Sequence, residues 1–506
     1  MVAYTPPPYL LPMSESTEMY PPTLAALQDI ERSFDLPTAK LKEVLDQFLW
    51  EYKKGLAELP TDETRDTFTP MIPTYVHHVP NGSETGTFLA LDLGGTNLRV
   101  CQVKLLGDHK WTMKQQKYRV SDALKQGEAT ALFDYIAGAI DQFLVQIGTG
   151  THEDEKLFLG FTFSFPVLQT ALDAGTLINW TKGFECKNAV GKDIVQLLQD
   201  ALDRKHIHVR CSALVNDTCG TLMARAYEGG DCLCGGIFGT GTNGAYVESI
   251  DQITKMDPEA IKDAKAKGID KMVVNTEWGA FDNERIVMPF TLFDNRVDRI
   301  SINPRKQAFE KVRPLILNDL GTYLGEVTRN VILHLVDMQV IFKGHSSKAL
   351  NAHYGLDTAI MSALEASSVP NSVEAGDPLR AIRKAITEDL AIDPEFITDS
   401  DCLAVARVSE IVGTRGCRLS ACALAAVVLQ TGHDKTNSTV QFGLDGSLVE
   451  FYPRFEERVR AAMLELLGPE VEKRVEIGLA KDGSGVGAAL VAQAAKRLAD
   501  SLEGKQ

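Results

Sequence analysis

Residues 88–100 constrain the fold of this chain more than any other stretch. An apolar run ends at Asp92, is interrupted at Gly94 and Gly95, and resumes as a second apolar-rich run from Leu98. The pattern predicts two β-strands joined by a tight turn. Adjacent glycines let the N–H groups of such a turn approach a phosphate closely, although a Gly-Gly turn followed by Thr-Asn is more often only structural.

A second segment, residues 235–247, repeats this design with an apolar strand, a Gly/Thr turn and another apolar strand. Two such hairpins in different parts of the chain predict two related lobes, each offering a backbone turn to one nucleotide between them. Neither turn matches the Gly-x-x-x-x-Gly-Lys-Ser/Thr or the Gly-x-Gly-x-x-Gly motif. The folds that carry those motifs are therefore disfavoured.

Charge and composition narrow the class of protein. The 506 residues include 52 basic and 68 acidic side chains, which gives a net charge of −16. This balance disfavours nucleic acids and anionic membranes as partners. We find neither an apolar run of membrane-spanning length nor a signal-peptide pattern, so we expect a cytoplasmic protein with reduced, mostly buried cysteines. Cys232 and Cys234 have no second pair at zinc spacing, so no zinc site is expected.

The order of the remaining elements predicts an α/β architecture. Apolar positions repeat at helical spacing over residues 41–52, and residues 124–147 also have a helical pattern. A buried strand is expected at residues 156–165, and a third strand-turn-strand unit at residues 440–451.

Three further places carry residues that could bind a ligand or act in catalysis, but their pattern alone does not establish either role. Trp180, Thr181 and Lys182 provide a ring, a hydroxyl and a cation that could hold a polyhydroxylated ligand, but taken alone they are better explained as an ordinary surface loop. Asp217 stands where a strand leads into a helix, so it is either an N-cap or a base facing a cleft. Acidic residues near later turns cannot be selected from pattern alone.

Seven segments, taken in order, resemble the eukaryotic hexokinase family, and more narrowly its fungal glucokinase branch. They are residues 88–100, 159–166, 179–184, 214–218, 238–243, 442–447 and 482–489. The resemblance implies an actin-like (ribonuclease-H-type) duplicated α/β fold with two lobes around a central cleft. It places the small lobe at residues 81–215 and the large lobe, with the nucleotide site, at residues 216–496. A helical segment at residues 23–80 is expected to pack on the large lobe. Flexible tails are expected at residues 1–22 and 497–506.

The resemblance also implies an activity, which is phosphorylation of glucose by ATP at the 6-hydroxyl to glucose 6-phosphate, the first step of glycolysis. Asp217 matches the catalytic base. Residues that match sugar-binding positions are Ser164, Thr181, Lys182, Asn216, Asp217, Asn243, Glu277 and Glu310. Residues that match ATP-contacting segments are Asp92, Gly94, Gly95, Thr96, Asn97, Lys117, Thr240, Gly241, Thr242, Gly443, Asp445, Gly446 and Ser447. Mg²⁺ is expected to be held mainly by the ATP phosphates, with no direct protein ligand assigned.

Two features depart from the family pattern. Arg305 stands where a glycine is usual, and residues 312–320 replace a shorter link. Both flank Glu310, so a difference in sugar affinity or specificity is expected there. Glucose is the expected partner, with other hexoses as candidates, and the protein is expected to be a monomer or a homodimer.

Two competing interpretations belong to other classes. A sugar-sensing regulator with little turnover would have no need of the base at Asp217. An ATPase of the actin or chaperone type would have no need of the loop that carries Thr181 and Lys182. The presence of Asp217 and of this loop therefore favours a kinase over a regulator or an ATPase.

Overall fold

The computed structural model of this chain describes residues 19–503, except 62, 65, 96, 149–156, 182, 240, 302, 313–315, 318–320 and 369–377. The strands are β1 (Ile72–Pro73), β2 (Thr85–Leu93), β3 (Asn97–Gly107), β4 (Lys110–Arg119), β5 (Leu157–Phe163), β6 (Val167–Ala171), β7 (Ala174–Leu177), β8 (Val209–Val215), β9 (Cys232–Phe238), β10 (Thr242–Ser249), β11 (Lys271–Asn275), β12 (Ile316–Leu317), β13 (Gly321–Thr322), β14 (Val440–Asp445) and β15 (Val475–Leu479).

The α-helices are α1 (Pro21–Phe34), α2 (Thr38–Ala57), α3 (Asp122–Lys125), α4 (Ala129–Gln146), α5 (Ile194–Arg204), α6 (Asp217–Gly229), α7 (Pro258–Ala266), α8 (Leu292–Ile300), α9 (Ala308–Val312), α10 (Tyr323–Asp337), α11 (Lys348–Asn351), α12 (Thr358–Ser368), α13 (Pro378–Glu388), α14 (Asp399–Gln430), α15 (Ser447–Phe451), α16 (Phe455–Leu467), α17 (Pro469–Glu472) and α18 (Gly483–Glu503). Short 3-10 helices are Ile250–Gln252, Trp278–Ala280, Phe342–Gly344, Pro394–Phe396 and His433–Lys435.

Two large sheets have the same strand order. The first runs β4-β3-β2-β5-β8, with antiparallel pairs up to β2 and parallel pairs from β2 to β8. The second runs β11-β10-β9-β14-β15 with the same pattern of pairs, and β1 is added beside β11. This repetition confirms the predicted duplicated α/β fold. We call the lobe with the first sheet the small lobe and the other the large lobe.

Each sheet is followed by a helix that packs on the other sheet. Helix α6 follows β8 and packs on β9 and β14, whereas α18 follows β15 and packs on β2, β5 and β8. The two helices also pack on each other. Residues 483–503 therefore lie on the small-lobe sheet, although the predicted boundaries put residues up to 496 in the large lobe. The helix also continues into the predicted tail as far as Glu503, although its residues in the buried core cluster end at Ala492.

Glycines allow this central packing to be close. A Cβ on Gly487 of α18 would lie 2.1 Å from the carbonyl oxygen of Gly220 in α6. A Cβ on Gly160 of β5 would lie 2.1 Å from the carbonyl oxygen of Ala488. On the other side of α6, a Cβ on Gly235 of β9 would lie 2.4 Å from the backbone nitrogen of Leu222. Helix α6 is thus held between α18 and the large-lobe sheet with no room for a side chain at these points.

The large-lobe core contains α2 and α14. The amphipathic pattern over residues 41–52 is confirmed, since Leu41, Phe48 and Tyr52 of α2 are fully buried. Helix α14, with 32 residues, is the described helix long and apolar enough to cross a membrane by length and composition, but its whole apolar window is buried inside the protein. We therefore interpret α14 as a core helix of the large lobe.

Two expectations about local structure differ from what is observed. Residues 440–451 form strand β14 followed by helix α15 instead of a strand-turn-strand unit. The reason is that β14 is parallel to both of its neighbours, and parallel strands are joined by crossovers that usually contain a helix. The predicted helix at residues 124–147 is divided into α3 and α4. Most of the insertion at residues 312–320 lies outside the described residues. The first 18 residues of the predicted N-terminal tail also lie outside them.

Candidate active site

The first predicted hairpin is confirmed and carries a row of charged residues. Asp92 of β2 is paired with Arg99 of β3, and Arg99 with Lys117 of β4. Gly94 closes the turn by donating its N–H to the carbonyl oxygen of Asn97 at 3.0 Å. Gly95 lies within this turn, and Thr96 lies outside the described residues. These ATP-contacting candidates therefore lie at one end of the small-lobe sheet.

Arg99 joins this hairpin to the start of α18. Its guanidinium lies 3.3 Å from the Asp92 carboxylate and donates to Asp482 Oδ1 at 2.8 Å. Ser484 Oγ donates to Asp92 Oδ2 at 3.0 Å. The sequence did not single out Asp482 or Ser484, which stand in the last of the resembling segments. The feature of the sequence that pointed to this place was the glycine-rich start of that helix.

The second hairpin and the turn after β14 meet in the large lobe. The Gly239 N–H donates to the carbonyl oxygen of Gly241 at 3.0 Å, which closes the first of these turns. A Cβ on Gly446, whose φ is +110°, would lie 2.6 Å from the Phe238 carbonyl oxygen. The two turns thus touch backbone to backbone, and they bring Gly241 close to the segment Asp445, Gly446 and Ser447. Thr240 lies outside the described residues.

Two other ATP-contacting candidates are directed into the protein. Thr242 is 5% exposed, and its Oγ1 accepts the indole N–H of Trp278 at 2.9 Å. Gly443 lies within β14 against α6, where a Cβ would be 2.5 Å from Cβ of Arg225. Gly443 is therefore separated from the turn that contains Gly446.

Asp217 is the first residue of α6, at the junction of the two lobes. Asn216 is the N-cap, because its Oδ1 accepts the Thr218 N–H at 2.9 Å. The same N–H also reaches Asp217 Oδ1 at 2.9 Å, and both Asn216 and Asp217 are half-buried. Among the residues that the structure describes, Asp217 Oδ2 accepts no hydrogen bond. The helix start thus orients a carboxylate that has one oxygen available to a ligand.

Several carboxylates share the space around this helix start. Burial raises the pKa of Asp445, and the negative charges of Asp217, Glu450 and Asp482 raise it further. Gly220, in the first turn of α6, is also close to Gly483, since a Cβ there would be 2.7 Å from the Gly483 carbonyl oxygen. Asp217, the turn after β14 and the start of α18, which Arg99 joins to the small-lobe hairpin, therefore lie close together.

Asn243 and Glu277, two predicted sugar-binding residues, form one hydrogen-bonded cluster in the large lobe. Asn243 Nδ2 donates to Glu277 Oε1 at 3.0 Å and to Asn275 Oδ1 at 2.9 Å. Asn275 Nδ2 donates to the same Glu277 oxygen at 2.8 Å. Glu277 has a left-handed backbone with φ +53°, which is uncommon for a residue with a side chain. Asn275 was not predicted, and its only signal was its place at the end of a strand.

Glu310 joins the same region. A Cβ on Gly279 would lie 2.7 Å from Glu310 Oε2, so the Glu310 carboxylate lies against the backbone two residues after Glu277. Beside it, a Cβ on Gly244 would lie 2.2 Å from the Trp278 ring. The structure therefore brings Glu277 and Glu310 together, although the unusual Arg305 and the inserted residues flank the second of them.

Ser164 and Thr181 lie on neighbouring segments of the small lobe, which an aromatic cluster holds together. The Trp180 ring is stacked on Phe184 at 5.4 Å and is edge-on to Phe165 at 5.1 Å. Its indole N–H donates to the Cys186 carbonyl oxygen at 2.9 Å. Trp180 thus packs within the small lobe and is half-buried there. Lys182 lies outside the described residues.

The fold has two lobes whose sheets repeat one strand order, and the candidate nucleotide-binding turns lie near Asp217 at the junction of the lobes. Hexokinase family models match residues 26–227 and 233–494. The chain belongs to the hexokinase family.

Relatives support this membership over nearly the whole chain. The chain is 41% identical to a glucokinase from Aspergillus niger, with 92% of this chain and 96% of the relative covered. It is 37% identical to hexokinase-1 from Schizosaccharomyces pombe, with 92% and 90% covered. A solved structure of a Schistosoma mansoni hexokinase complexed with glucose superposes with a TM-score of 0.77 at 34% identity, covering 94% of this chain and 99% of that one.

Proposed function

We propose that this protein transfers the γ-phosphoryl group of ATP to the 6-hydroxyl of glucose, with Asp217 as the general base. The observation that carries the proposal is the position of Asp217. It begins the helix that packs between the lobes, next to the candidate ATP turns of both, and one of its oxygens is oriented by the Thr218 N–H. The Schistosoma hexokinase complexed with glucose supports glucose as the sugar.

The large-lobe cluster supplies the contacts that a sugar requires. Glu277 accepts hydrogen bonds from two amide groups, so its carboxylate is held in one orientation before a sugar arrives. Glu310 adds a second carboxylate beside it. Carboxylates that accept from sugar hydroxyls form charge-assisted hydrogen bonds, which are roughly twice as strong as neutral ones. On the small lobe, Ser164, Thr181 and Lys182 are the candidates for the opposite side of the sugar.

The turns of the large lobe fit a nucleotide. The turn that contains Gly446 packs against the backbone of Phe238 and Gly239, where Gly446 has no room for a side chain, and we propose that the phosphates lie against the backbone of these two turns. Arg99 and Lys117 stand in one row with Asp92 on the small-lobe sheet. Asp92 and Asp445 are the candidate carboxylates on the Mg²⁺ side of the phosphates. When bound, Mg²⁺ neutralises charge on the phosphate oxygens.

The reaction then depends on alignment. The Asp217 carboxylate accepts the proton of the 6-hydroxyl as its oxygen attacks phosphorus, and such a base typically contributes about 100- to 10,000-fold in rate. Water is a competing acceptor, so we propose that the lobes approach each other over the bound sugar before the reactants align.

The product identifies the reaction directly. Purified protein is incubated with glucose and MgATP, and the products are followed by ³¹P NMR. Formation of ADP and glucose 6-phosphate in equal amounts supports the proposal. ADP without sugar phosphate indicates an ATPase, and glucose binding without either product indicates a regulator.

A further inference from the structure

The two candidate sugar-binding glutamates are carried by separate segments. Glu277 immediately precedes the 3-10 helix Trp278–Ala280, whereas Glu310 lies in α9. They are neighbours because Glu310 Oε2 lies against Gly279. Gly279 does not have a positive φ, so this position requires glycine for space and not for backbone conformation.

Helix α2 supports both segments with one aromatic ring. The rings of Phe48 and Phe281 are stacked, with centroids 3.5 Å apart and planes at 6°. Phe309 meets both rings edge-on, at 5.1 Å from Phe48 and 5.6 Å from Phe281. All three side chains are 0% exposed. Phe281 ends the turn that Glu277 begins, and Phe309 immediately precedes Glu310, so the segment of each glutamate contributes one ring to this cluster.

Hydrogen bonds connect the same segments. Asn283 is 7% exposed, and its Oδ1 accepts the N–H of Ala308, the first residue of α9, at 2.9 Å. Glu51, one turn after Phe48 on α2, accepts the Asp282 N–H at 3.0 Å. The segment after Glu277 is therefore attached both to α2 and to the helix that carries Glu310.

We propose that Phe48 and Asn283 are positioning residues that set the separation of the Glu277 and Glu310 carboxylates, and thereby the affinity for the sugar. Neither residue touches the sugar. A shift of the Phe281 ring moves the turn after Glu277, and a shift of Phe309 moves Glu310, because buried rings have no free space in which to absorb the change. This inference rests on the proposed function, since it assumes that both glutamates bind the sugar.

The test is steady-state kinetics of Phe48→Leu, Asn283→Ala and Gly279→Ala with glucose and with MgATP as the varied substrate. Phe143→Leu is the matched control, because Phe143 is an equally buried ring in the small-lobe core. We expect the KM for glucose to rise about tenfold in the three variants, with the KM for MgATP nearly unchanged. The control is expected to lose thermal stability while it retains both KM values.

A double-mutant cycle separates positioning from general destabilisation. If Phe48 acts through Glu310, the effects of Phe48→Leu and Glu310→Gln on the KM for glucose are not additive. The inference is overturned if Glu310→Gln raises that KM but Asn283→Ala and every folded Phe48 variant leave it unchanged. If Glu277→Gln and Glu310→Gln both leave it unchanged, the proposed sugar site is itself wrong.

Discussion

Gly487 of α18 lies directly against the carbonyl group of Gly220 in α6, where a Cβ on Gly487 would be 2.1 Å from the oxygen. This contact joins the helix that follows one sheet to the helix that follows the other. Because both partners are backbone, neither can move aside for a side chain.

We therefore expect Gly487→Ala to lower the free energy of unfolding by about 1–3 kcal/mol, the usual effect of overpacking. Urea denaturation followed by circular dichroism measures the change. Gly138→Ala is the control, because Gly138 is also inside a helix but the nearest atom to its Cβ would be 4.0 Å away. Alanine there should stabilise the protein by about 0.5–1 kcal/mol. Equal effects at the two positions would contradict the close contact.

Arg99→Met tests the assignment of the small-lobe hairpin to the nucleotide. Arg99 holds together the hairpin carboxylate Asp92 and Asp482, the residue before α18. Its loss should raise the KM for MgATP about tenfold, the typical effect of removing a charge-assisted contact, while the KM for glucose stays nearly constant. Lys104→Met, which removes an exposed cation from the same strand, should change neither value. A selective rise in the KM for glucose would contradict the assignment.

Breaking the buried pair Arg415 and Asp294 should strongly destabilise the large lobe. Two hydrogen bonds of 2.6 and 2.7 Å connect the side chains, and both are 1% exposed. Arg415→Met leaves Asp294 as an uncompensated buried charge, which should cost about 3–5 kcal/mol. Lys262→Met breaks the exposed pair with Glu259 and should cost less than about 1 kcal/mol. Thermal and urea unfolding of both variants measure these costs.

The raised pKa of Glu51 should make the stability of the protein fall as the pH rises. Burial raises the pKa of Glu51 to about 8 in the folded protein, from 4.5 for an unperturbed side chain. The protonated form is therefore favoured by folding, so its contribution is complete below about pH 4.5 and is lost as the pH rises through about 8. Relative to Glu51→Gln, the wild-type protein should lose up to about 5 kcal/mol over that range.

The measurement is the urea midpoint of both proteins at half-unit pH intervals. Glu43→Gln, on the exposed side of the same helix, is the control and should show a constant difference from the wild type. A Glu51→Gln difference that is also constant with pH would contradict the raised pKa.

Local patterns predicted the parts of the fold that depend on neighbouring residues. Both hairpins follow from glycines between apolar runs, and α2 follows from its apolar spacing. The packing of α18 on the small-lobe sheet could not be predicted. It depends on contacts between elements far apart in the chain, such as Gly160 with Ala488. Helix α15 was missed for a similar reason, since the parallel neighbours of β14 are not visible in its own sequence.

The candidate site likewise contains residues that the sequence identified and residues that it did not. Resemblance selected Glu277 and Glu310, which pattern alone did not distinguish from surface acids, and the structure shows them together. The sequence did not single out Asp482, and for Trp180 it left open a ligand-binding role beside an ordinary loop position. Asp482 meets Arg99 across 383 positions of the chain, and the role of Trp180 depends on rings that surround it only in the folded protein.

The most direct test of the central claim is glucose-dependent ADP production by the native protein and by Asp217→Ala, at saturating MgATP, with fructose offered in parallel. Circular dichroism establishes that the variant is folded. We predict turnover with glucose by the native protein and a loss of about 100-fold or more in the variant, because the base that accepts the 6-hydroxyl proton is removed. A folded variant that retains the native rate would contradict the role of Asp217, and a native protein that binds glucose without consuming ATP would contradict the kinase assignment.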